Sequence, residues 1–329
     1  VASGKAETLN REFRDFFGRD GNFQYASYVL HGDGDKTHAL TRLLDQHEID
    51  YGWASPATLK GYHYGEGGKG SLKADENTLV IPARQKKGRL VKVLFEPDAR
   101  LSDSLTYDIT AWSLPYAYGL ETLASETRVG LREGAPAMAA YSNTGVREGA
   151  YAHLADWSSM KDARFLADLL KEGIRVRRAE RPFQLDGKTW GAGSLIIAGA
   201  DNHTLEGFAQ KLEGIAQNHQ KSLTPAVTGM VEDGKDFGSR YVGSVTPPKV
   251  AVLSGDPTST LRFGEVWHFF EQQLQYPLTV LDAGYFDRVD LEDYDVLILP
   301  GGWGYRRFIT ADRMAALKQW VGRGGRLVA

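Results

Sequence analysis

A chain of 329 residues, with 42% hydrophobic and 25% charged residues, has the size and composition of a globular protein with two or three domains. The formal net charge of −3 gives no basic footprint for nucleic acid, and no apolar run approaches the roughly 20 residues that cross a membrane. The lack of cysteine excludes disulfide bonds, thiolate metal ligands and a cysteine nucleophile.

The first part of the chain predicts a helix followed by one α/β unit. Residues 7–17 carry apolar side chains at helical spacing, and 1–21 are assigned to an N-terminal helix and linker. The unit at about 22–105 then shows a strand, a helix, a second strand, a glycine-rich hairpin, a buried strand and a second helix. In chain order, these elements are predicted at residues 23–30, 36–47, 49–53, 61–70, 78–82 and 84–95.

An aromatic segment follows this unit. It contains Tyr107, Asp108, Trp112, Tyr116 and Tyr118. Such amphipathic aromatic side chains are typical of a docking or ligand surface. The other interpretation, which is favoured, is an ordered crossover over 106–136 whose rings are buried in the core. The five residues are retained as the candidate binding or docking surface, whereas no catalytic, cofactor-binding or metal-ligating residue is predicted.

The order of elements repeats in the next part of the chain. A strand, a helix, a strand, a hairpin with a buried strand and a second helix are predicted at residues 138–141, 161–172, 174–177, 189–198 and 202–218. This spacing predicts an internal duplication, with units at about 22–105 and 137–220 packed as one pseudo-twofold α/β domain over 22–245. The strand–helix–strand connections favour right-handed crossovers and some parallel pairing. Residues 222–248 are predicted as a linker or surface loop.

The last part, 246–329, predicts a truncated, flavodoxin-like domain with three layers. Apolar strands and two helices are expected at 250–253, about 261–275, 278–281, 296–299, about 311–323 and 326–328. Strands without polar alternation indicate a sheet covered on both faces. The working groups of such sheets lie just past the carboxyl ends of the strands, and the sequence ends before the loop that would follow the last strand. The chain is therefore expected to be a piece of a larger protein.

Three patterns in this domain are candidates for chemistry. The loop 254–260 opens a helix with Gly and hydroxyl residues, and its spacing favours helix capping over a phosphate cradle. His268 and Glu271 have a spacing that some zinc peptidases use, but without a third ligand the favoured interpretation is core packing with a surface Glu271. The pair Gly301-Gly302 follows a strand, where its backbone N–H groups would serve an oxyanion only beside a nucleophile.

Three segments carry a resemblance to a known family. They are Tyr-Asp-Ile-Thr-Ala-Trp-Ser-Leu-Pro at 107–115, Asp-Phe-Gly-Ser at 236–239 and Pro-Lys-Val-Ala-Val-Leu at 248–253. They occur in this order in large bacterial proteins that resemble carboxypeptidase A-like zinc peptidases (peptidase family 14) with a long C-terminal extension. In that group the extension ends in a domain similar to class I glutamine amidotransferases, usually without its nucleophile. The resemblance covers nearly the whole chain, but only the extension.

The resemblance implies that the chain is the non-catalytic C-terminal region of such a protein and supports or gates a missing N-terminal peptidase domain. Zinc is expected only in that missing domain, held by two His and one Glu that no residue here matches. The implied partners are the peptidase domain and a peptide substrate, and the implied location is periplasmic or secreted. Two alternatives stay open: a peptide- or glycan-binding module that uses the aromatic segment 107–118, and an amidotransferase-like enzyme completed by residues beyond 329.

Overall fold

A computed structural model describes residues 3–17, 23–98, 113–132 and 143–329. The chain is mixed α/β, which confirms the predicted fold class. It forms two compact units, a first unit over 1–140 and a second unit over 141–329. The second of the predicted repeats and the C-terminal sheet lie in the same unit, and the predicted domain boundaries stay a prediction.

The first unit contains a six-stranded sheet with the strand order β2-β5-β1-β6-β3-β4. Its elements are α1 (Ala6–Phe17), β1 (Ser27–His31), α2 (Gly34–Gln46), β2 (Gly52–Trp53), β3 (Ala57–His63), β4 (Gly68–Ala74), β5 (Leu79–Pro82), α3 (Gly88–Phe95), α4 (Leu114–Tyr118) and β6 (Glu121–Ser125). The central strand β1 is antiparallel to both of its neighbours, β5 and β6.

The middle of strand β1, residues 28–30, is apolar because both faces of the strand are buried there. Tyr28 and Leu30 face the core that is shared with helices α2 and α3, whereas Val29 faces a second core. This alternation follows from the two-residue period of a strand. Leu72, on hairpin β3–β4, contributes to the second core, so the glycine-rich hairpin covers a sheet face.

The second unit begins with a five-stranded sheet whose order is β12-β7-β11-β8-β13. Its elements are β7 (Ala152–Ala155), α5 (Met160–Lys171), β8 (Val176–Ala179), β9 (Phe183–Leu185), β10 (Lys188–Trp190), β11 (Leu195–Ala198), α6 (Phe208–Asn218), β12 (Thr224–Ala226) and β13 (Val242–Val245). Phe165 and Leu212, from the two helices, pack on one face of this sheet. Phe183 and Trp190, from hairpin β9–β10, pack on the other face.

The two antiparallel sheets share one order of corresponding elements. Four neighbouring strands have the order β6-β1-β5-β2 in the first sheet and β12-β7-β11-β8 in the second. In both sheets these are, in turn, the strand after the second helix, the first strand, the strand after the hairpin and the strand after the first helix. One further pairing corresponds in the two sheets. Arg132 forms a β-bridge with Trp53 of β2, and β13 pairs with β8 in the equivalent place. This is the order that a duplication would produce, although the duplication itself stays a prediction.

Parallel pairing was predicted for these repeats, and the structure corrects it. Every strand pair described in the two sheets is antiparallel. The reason is that β5 inserts between β1 and β2, and β11 inserts between β7 and β8. The strands at the two ends of each helical crossover therefore run in the same direction without being neighbours.

Several predicted boundaries also move. The crossover 106–136 contributes β6, and the predicted linker 222–248 contributes β12 and β13. The strand predicted at 138–141 lies outside the described residues. The helix predicted from 202 begins six residues later, because the buried Asn202 side chain hydrogen-bonds the backbone of Arg175 and Ala198 instead of continuing a helix.

The second unit ends in a four-stranded parallel sheet with the order β15-β14-β16-β17, as in the flavodoxin-like arrangement. Its elements are β14 (Val250–Ser254), α7 (Thr260–His268), β15 (Leu278–Asp282), β16 (Val296–Ile298), α8 (Tyr305–Phe308), α9 (Ala311–Gly322) and β17 (Arg326–Val328). A π-helical turn, Phe269–Leu274, extends α7, and two 3₁₀ turns, Ala283–Arg288 and Leu291–Asp293, precede β16.

Two predictions for this sheet are wrong in part. Strand β14 and Leu297 of β16 are buried, but Val280 and Leu327 on the two edge strands are 47% and 40% exposed, so the edges are not covered. His268 is exposed rather than packed in the core, because α7 has no fully buried residue and the neighbouring Phe269 and Phe270 are the half-buried side chains. Among the described helices, none is long and apolar enough to cross a membrane.

Candidate binding site

The predicted aromatic surface is only partly described. Tyr107, Asp108 and Trp112 lie outside the described residues, whereas Tyr116 and Tyr118 lie on helix α4. This short helix carries a proline in its first turn and ends at Gly119, whose φ of 59° lies in the left-handed region that favours glycine.

The two described residues have different environments. Tyr118 packs against the core beneath helices α2 and α3, as the crossover interpretation predicted. Tyr116 is 51% exposed, and its ring centroid lies 5.2 Å from that of Tyr64. Tyr116 therefore fits a binding surface, and Tyr118 fits a core residue.

Tyr116 belongs to a larger group of rings, which we name the tyrosine cluster. Its members are Tyr25, Tyr28, Tyr62, Tyr64 and Tyr116. The successive centroids are 6.2 Å apart for Tyr28 and Tyr25, 6.5 Å for Tyr25 and Tyr62, and 5.9 Å for Tyr62 and Tyr64. These separations are within the range of interacting aromatic pairs. Sheet order builds the cluster, because β6 carries β1 on one side and β3 on the other.

The hydroxyl groups of Tyr25, Tyr28, Tyr64 and Tyr116 are held in their protonated form. Burial raises the pKa of Tyr25, Tyr28, Tyr64 and Tyr116, and nearby groups such as Asp98 and other tyrosines raise it further for Tyr25 and Tyr116. The Tyr64 hydroxyl donates a hydrogen bond to the backbone oxygen of Phe95. At neutral pH these four side chains therefore present neutral rings with polar edges.

A cavity of about 860 Å³ lies beside the tyrosine cluster. Its lining combines ring faces with polar side chains: Phe23, Gln24, Tyr25, Tyr28, Tyr62, Gly67, Lys92, Glu96, Pro97 and Asp98. Lys92 and Glu96 form an ion pair at 3.7 Å along one face of α3. The volume falls within the range of small-molecule sites, and the lining offers both stacking surfaces and hydrogen-bonding groups. Such a site is suited to binding an amphipathic ligand.

Sequence reasoning missed four members of the tyrosine cluster. Tyr62 and Tyr64 are two residues apart at the end of β3, which places them on one side of an extended chain. That spacing was the available signal. The approach of Tyr25 and Tyr28 to this pair depends on strand order, which local spacing does not encode.

A second candidate region is the carboxyl end of the parallel sheet, where the loops after β14 and β16 meet. Thr258 and Gly302 form an antiparallel bridge, and the backbone N–H of Ser259 donates to the oxygen of Gly301 at 3.1 Å. The Tyr305 hydroxyl donates to the Pro300 oxygen at 2.7 Å. The glycine pair therefore ties two loops together at the point where strand order reverses. Ser259 occupies the N-cap position of α7, but its side chain makes no capping hydrogen bond.

We expect Gly302→Ala to destabilise this loop pair by about 2 kcal/mol, whereas Gly301→Ala is tolerated. A Cβ at Gly302 would lie 2.0 Å from the backbone oxygen of Pro257, but a Cβ at Gly301 would meet only the flexible Arg262 side chain at 3.5 Å. Hydrogen–deuterium exchange of 255–260 and thermal unfolding measure the difference. Equal behaviour of the two variants would contradict the tied-loop geometry.

An apolar cavity of about 600 Å³ adjoins these loops. Its walls include Leu299, Tyr305, Ile309, Leu317 and Leu327. Its side chains provide few polar groups, so the cavity beside the tyrosine cluster offers more specific recognition. Among the described residues, no group of three or more His, Asp or Glu side chains is placed to hold a metal ion.

No protein-family model, curated protein or solved structure matches this chain.

Proposed function

We propose that this chain is the non-catalytic C-terminal region of a zinc carboxypeptidase-like protein and that it supports or gates a peptidase domain outside this sequence. The observation that carries the proposal is the parallel sheet of the second unit. Its strand order and the Gly301-Gly302 turn after β16 fit the amidotransferase-like part of the resemblance. Zinc in the peptidase domain only, and a periplasmic or secreted location, belong to the same proposal.

The purified chain is expected to release no C-terminal residue from peptide substrates and to retain no stoichiometric zinc. The reason is that the two His and one Glu of a carboxypeptidase site are assigned to the other domain. Chromatographic product analysis and elemental analysis after gel filtration in zinc-containing buffer measure the two outcomes.

The matched variant for this test is His268→Ala, because His268 and Glu271 have the spacing of a zinc-binding pair and are both exposed. One tightly held zinc ion per chain, lost in His268→Ala, would contradict the proposal. Peptide hydrolysis that a chelator abolishes would contradict it as well.

A second candidate function is glycan binding by the first unit. The observation that favours it is the tyrosine cluster beside a cavity that also contains Gln24, Glu96 and Asp98. A sugar ring presents an apolar face that packs on aromatic rings and hydroxyl groups that hydrogen-bond to amides and carboxylates. This candidate is compatible with the first, because a support region can also hold a ligand. A peptide is the competing ligand, and calorimetric titration with a tetrapeptide distinguishes the two.

The third alternative, an amidotransferase-like enzyme completed beyond residue 329, stays a prediction. It would require a nucleophile and a histidine that follow β17 in the chain.

A further inference from the structure

Three cationic side chains of the second unit lie within 5.8 Å of the centroid of one aromatic ring. The guanidinium carbons of Arg181 and Arg240 lie 4.1 and 5.0 Å from the centroid of the Tyr241 ring, and the Lys235 ammonium lies 5.8 Å from it. We name these four residues the Tyr241 cation cluster. A single cation over a ring is common, but three cations around one ring concentrate positive charge at one point of the surface.

Backbone pairing holds Arg181 beside Tyr241. The N–H of Glu180, at the end of β8, donates to the oxygen of Tyr241 at 2.8 Å, just before β13 pairs with β8. Arg181 is the next residue, so its position is fixed by the edge of the sheet. The cluster is therefore assembled by strand pairing and not by flexible side chains alone.

The loop that supplies the other two cations is also anchored. Phe237 is buried among the rings of Tyr151 and Phe183, and its N–H donates to the oxygen of Gly229 at 3.0 Å. The Asp236 carboxylate accepts a hydrogen bond from the N–H of Val231 at 2.8 Å. These contacts fix the loop at its centre, so Lys235 and Arg240 are presented from a rigid support.

Two carboxylates near the cluster in sequence are engaged elsewhere. Glu180 accepts from Arg178 at 3.1 Å, and Glu232 accepts from the N–H of Gly187 at 3.2 Å. In the described part of the chain, no carboxylate lies within ion-pair distance of Arg181, Lys235 or Arg240. Among the described residues, the three cations of the cluster therefore have no ion-pair partner.

We propose that the Tyr241 cation cluster is a binding site for a doubly charged tetrahedral oxyanion, a phosphate or sulfate group, either free or carried on a sugar. The three cations repel one another around a ring whose face is only weakly negative, and an oxyanion between them replaces that repulsion by attraction. Arginine guanidinium groups donate paired hydrogen bonds that fit such oxyanions. This site is in the second unit and is independent of the tyrosine cluster.

The same protein contains a neutralised counterpart. Lys188 lies 3.6 Å from the Trp190 ring centroid, and its ammonium also pairs with Asp156 at 2.9 Å. This cation–π contact has its own carboxylate, so it has no unpaired charge to offer an anion. Lys188→Gln is therefore the control substitution.

The test is a titration of the full chain with inorganic phosphate, inorganic sulfate and a sulfated disaccharide at constant ionic strength, with chloride as the balancing anion. Chemical-shift changes of arginine Nε–H groups in NMR spectra report binding. Phosphate and sulfate are expected to bind, and Arg181→Gln or Arg240→Gln to weaken binding about tenfold, since each removes a charge-assisted hydrogen bond. Lys188→Gln is expected to bind as the wild type does.

Tighter binding of the disaccharide would assign the oxyanion to a sulfated sugar, and equal binding would assign it to the free anion. Both outcomes support the site. The proposal is overturned if neither phosphate nor sulfate shifts these resonances, or if Arg181→Gln and Lys188→Gln weaken binding equally. Melting temperatures of the variants establish that each one is folded before the titration.

Discussion

Replacement of Lys221 by methionine is expected to lower the free energy of unfolding of the second unit by about 3 kcal/mol. The Lys221 ammonium pairs with the Asp162 carboxylate, and the two side chains are 13% and 1% exposed. Asp162 lies in the first turn of α5, where it also accepts the N–H groups of Ser158 and Ser159. Methionine keeps the length of the side chain but leaves a buried carboxylate without its cation. Urea unfolding followed by circular dichroism measures the loss.

The matched control is Lys211→Met, because Lys211 pairs with Glu172 at 3.0 Å and both side chains are largely exposed. An exposed ion pair contributes at most about 1 kcal/mol. The double variant Asp162→Asn with Lys221→Met is expected to recover part of the loss, since the amide oxygen still accepts the backbone N–H groups and no charge is buried. A loss for Lys221→Met that is no larger than for Lys211→Met would contradict the role of this pair.

The same pair predicts a pH dependence. Burial pushes the pKa of Asp162 upward, but the hydrogen bonds from Lys221 and from the N–H groups of Ser158 and Ser159 outweigh burial, so the pKa lies below its usual value. A carboxyl group with a lowered folded-state pKa contributes stability above its unfolded-state pKa, about 3.9, and that stability is lost as the pH falls through the folded-state value. The stability difference between wild type and Lys221→Met should therefore shrink below about pH 4.

Replacement of Tyr62 by alanine is expected to weaken binding of a neutral glycan, with N-acetylglucosamine tetramer as the probe, by about thirtyfold. Tyr62 lies between Tyr25 and Tyr64 in the tyrosine cluster and lines the cavity. Its removal separates the rings on which the sugar would pack. Isothermal titration calorimetry of the wild type and the variant, with a tetrapeptide as the competing ligand, measures the effect and its ligand class.

Tyr116→Ala and Trp112→Ala extend this test to the segment that the sequence singled out. Tyr116 contributes an exposed ring to the cluster, so we expect its replacement to weaken binding without unfolding the first unit. Tyr285→Ala is the control, because Tyr285 is 61% exposed in the second unit and lies outside the cluster. Binding of the tetrapeptide in place of the glycan would reassign the ligand, and equal losses in Tyr62→Ala and Tyr285→Ala would contradict the site.

Much of the secondary structure could be predicted from local patterns. The buried strands that contain Val80 and Ile196, and helix α5 with Phe165 on its apolar face, follow from periods of two and 3.6 residues. The flavodoxin-like class of the last sheet also followed from its alternation of strands and helices. These features depend on residues that are close together in the sequence, so they can be predicted from one sequence alone.

Strand order in the antiparallel sheets could not be obtained in this way. The insertion of β5 between β1 and β2 depends on pairing between Val29 and Val80, which are distant in sequence. The candidate site depends on the same pairing. Tyr116 was found because it lies in an aromatic segment, but Tyr25 and Tyr62 come together only after the sheet has formed. The prediction that His268 packs in the core failed for a similar reason. Its position within a helix did not reveal that α7 has no buried residue.

Ligand binding by the tyrosine cluster is tested most directly by ¹⁹F NMR of the full chain with 3-fluorotyrosine at its 15 tyrosine positions. Single Tyr→Phe variants assign the resonances. On titration with N-acetylglucosamine tetramer, we expect the resonances of Tyr25, Tyr62 and Tyr116 to shift together with one dissociation constant, while that of Tyr285 stays unchanged. If no resonance of the cluster shifts, or if Tyr285 shifts with the same dissociation constant, the first unit does not bind glycans through this cluster.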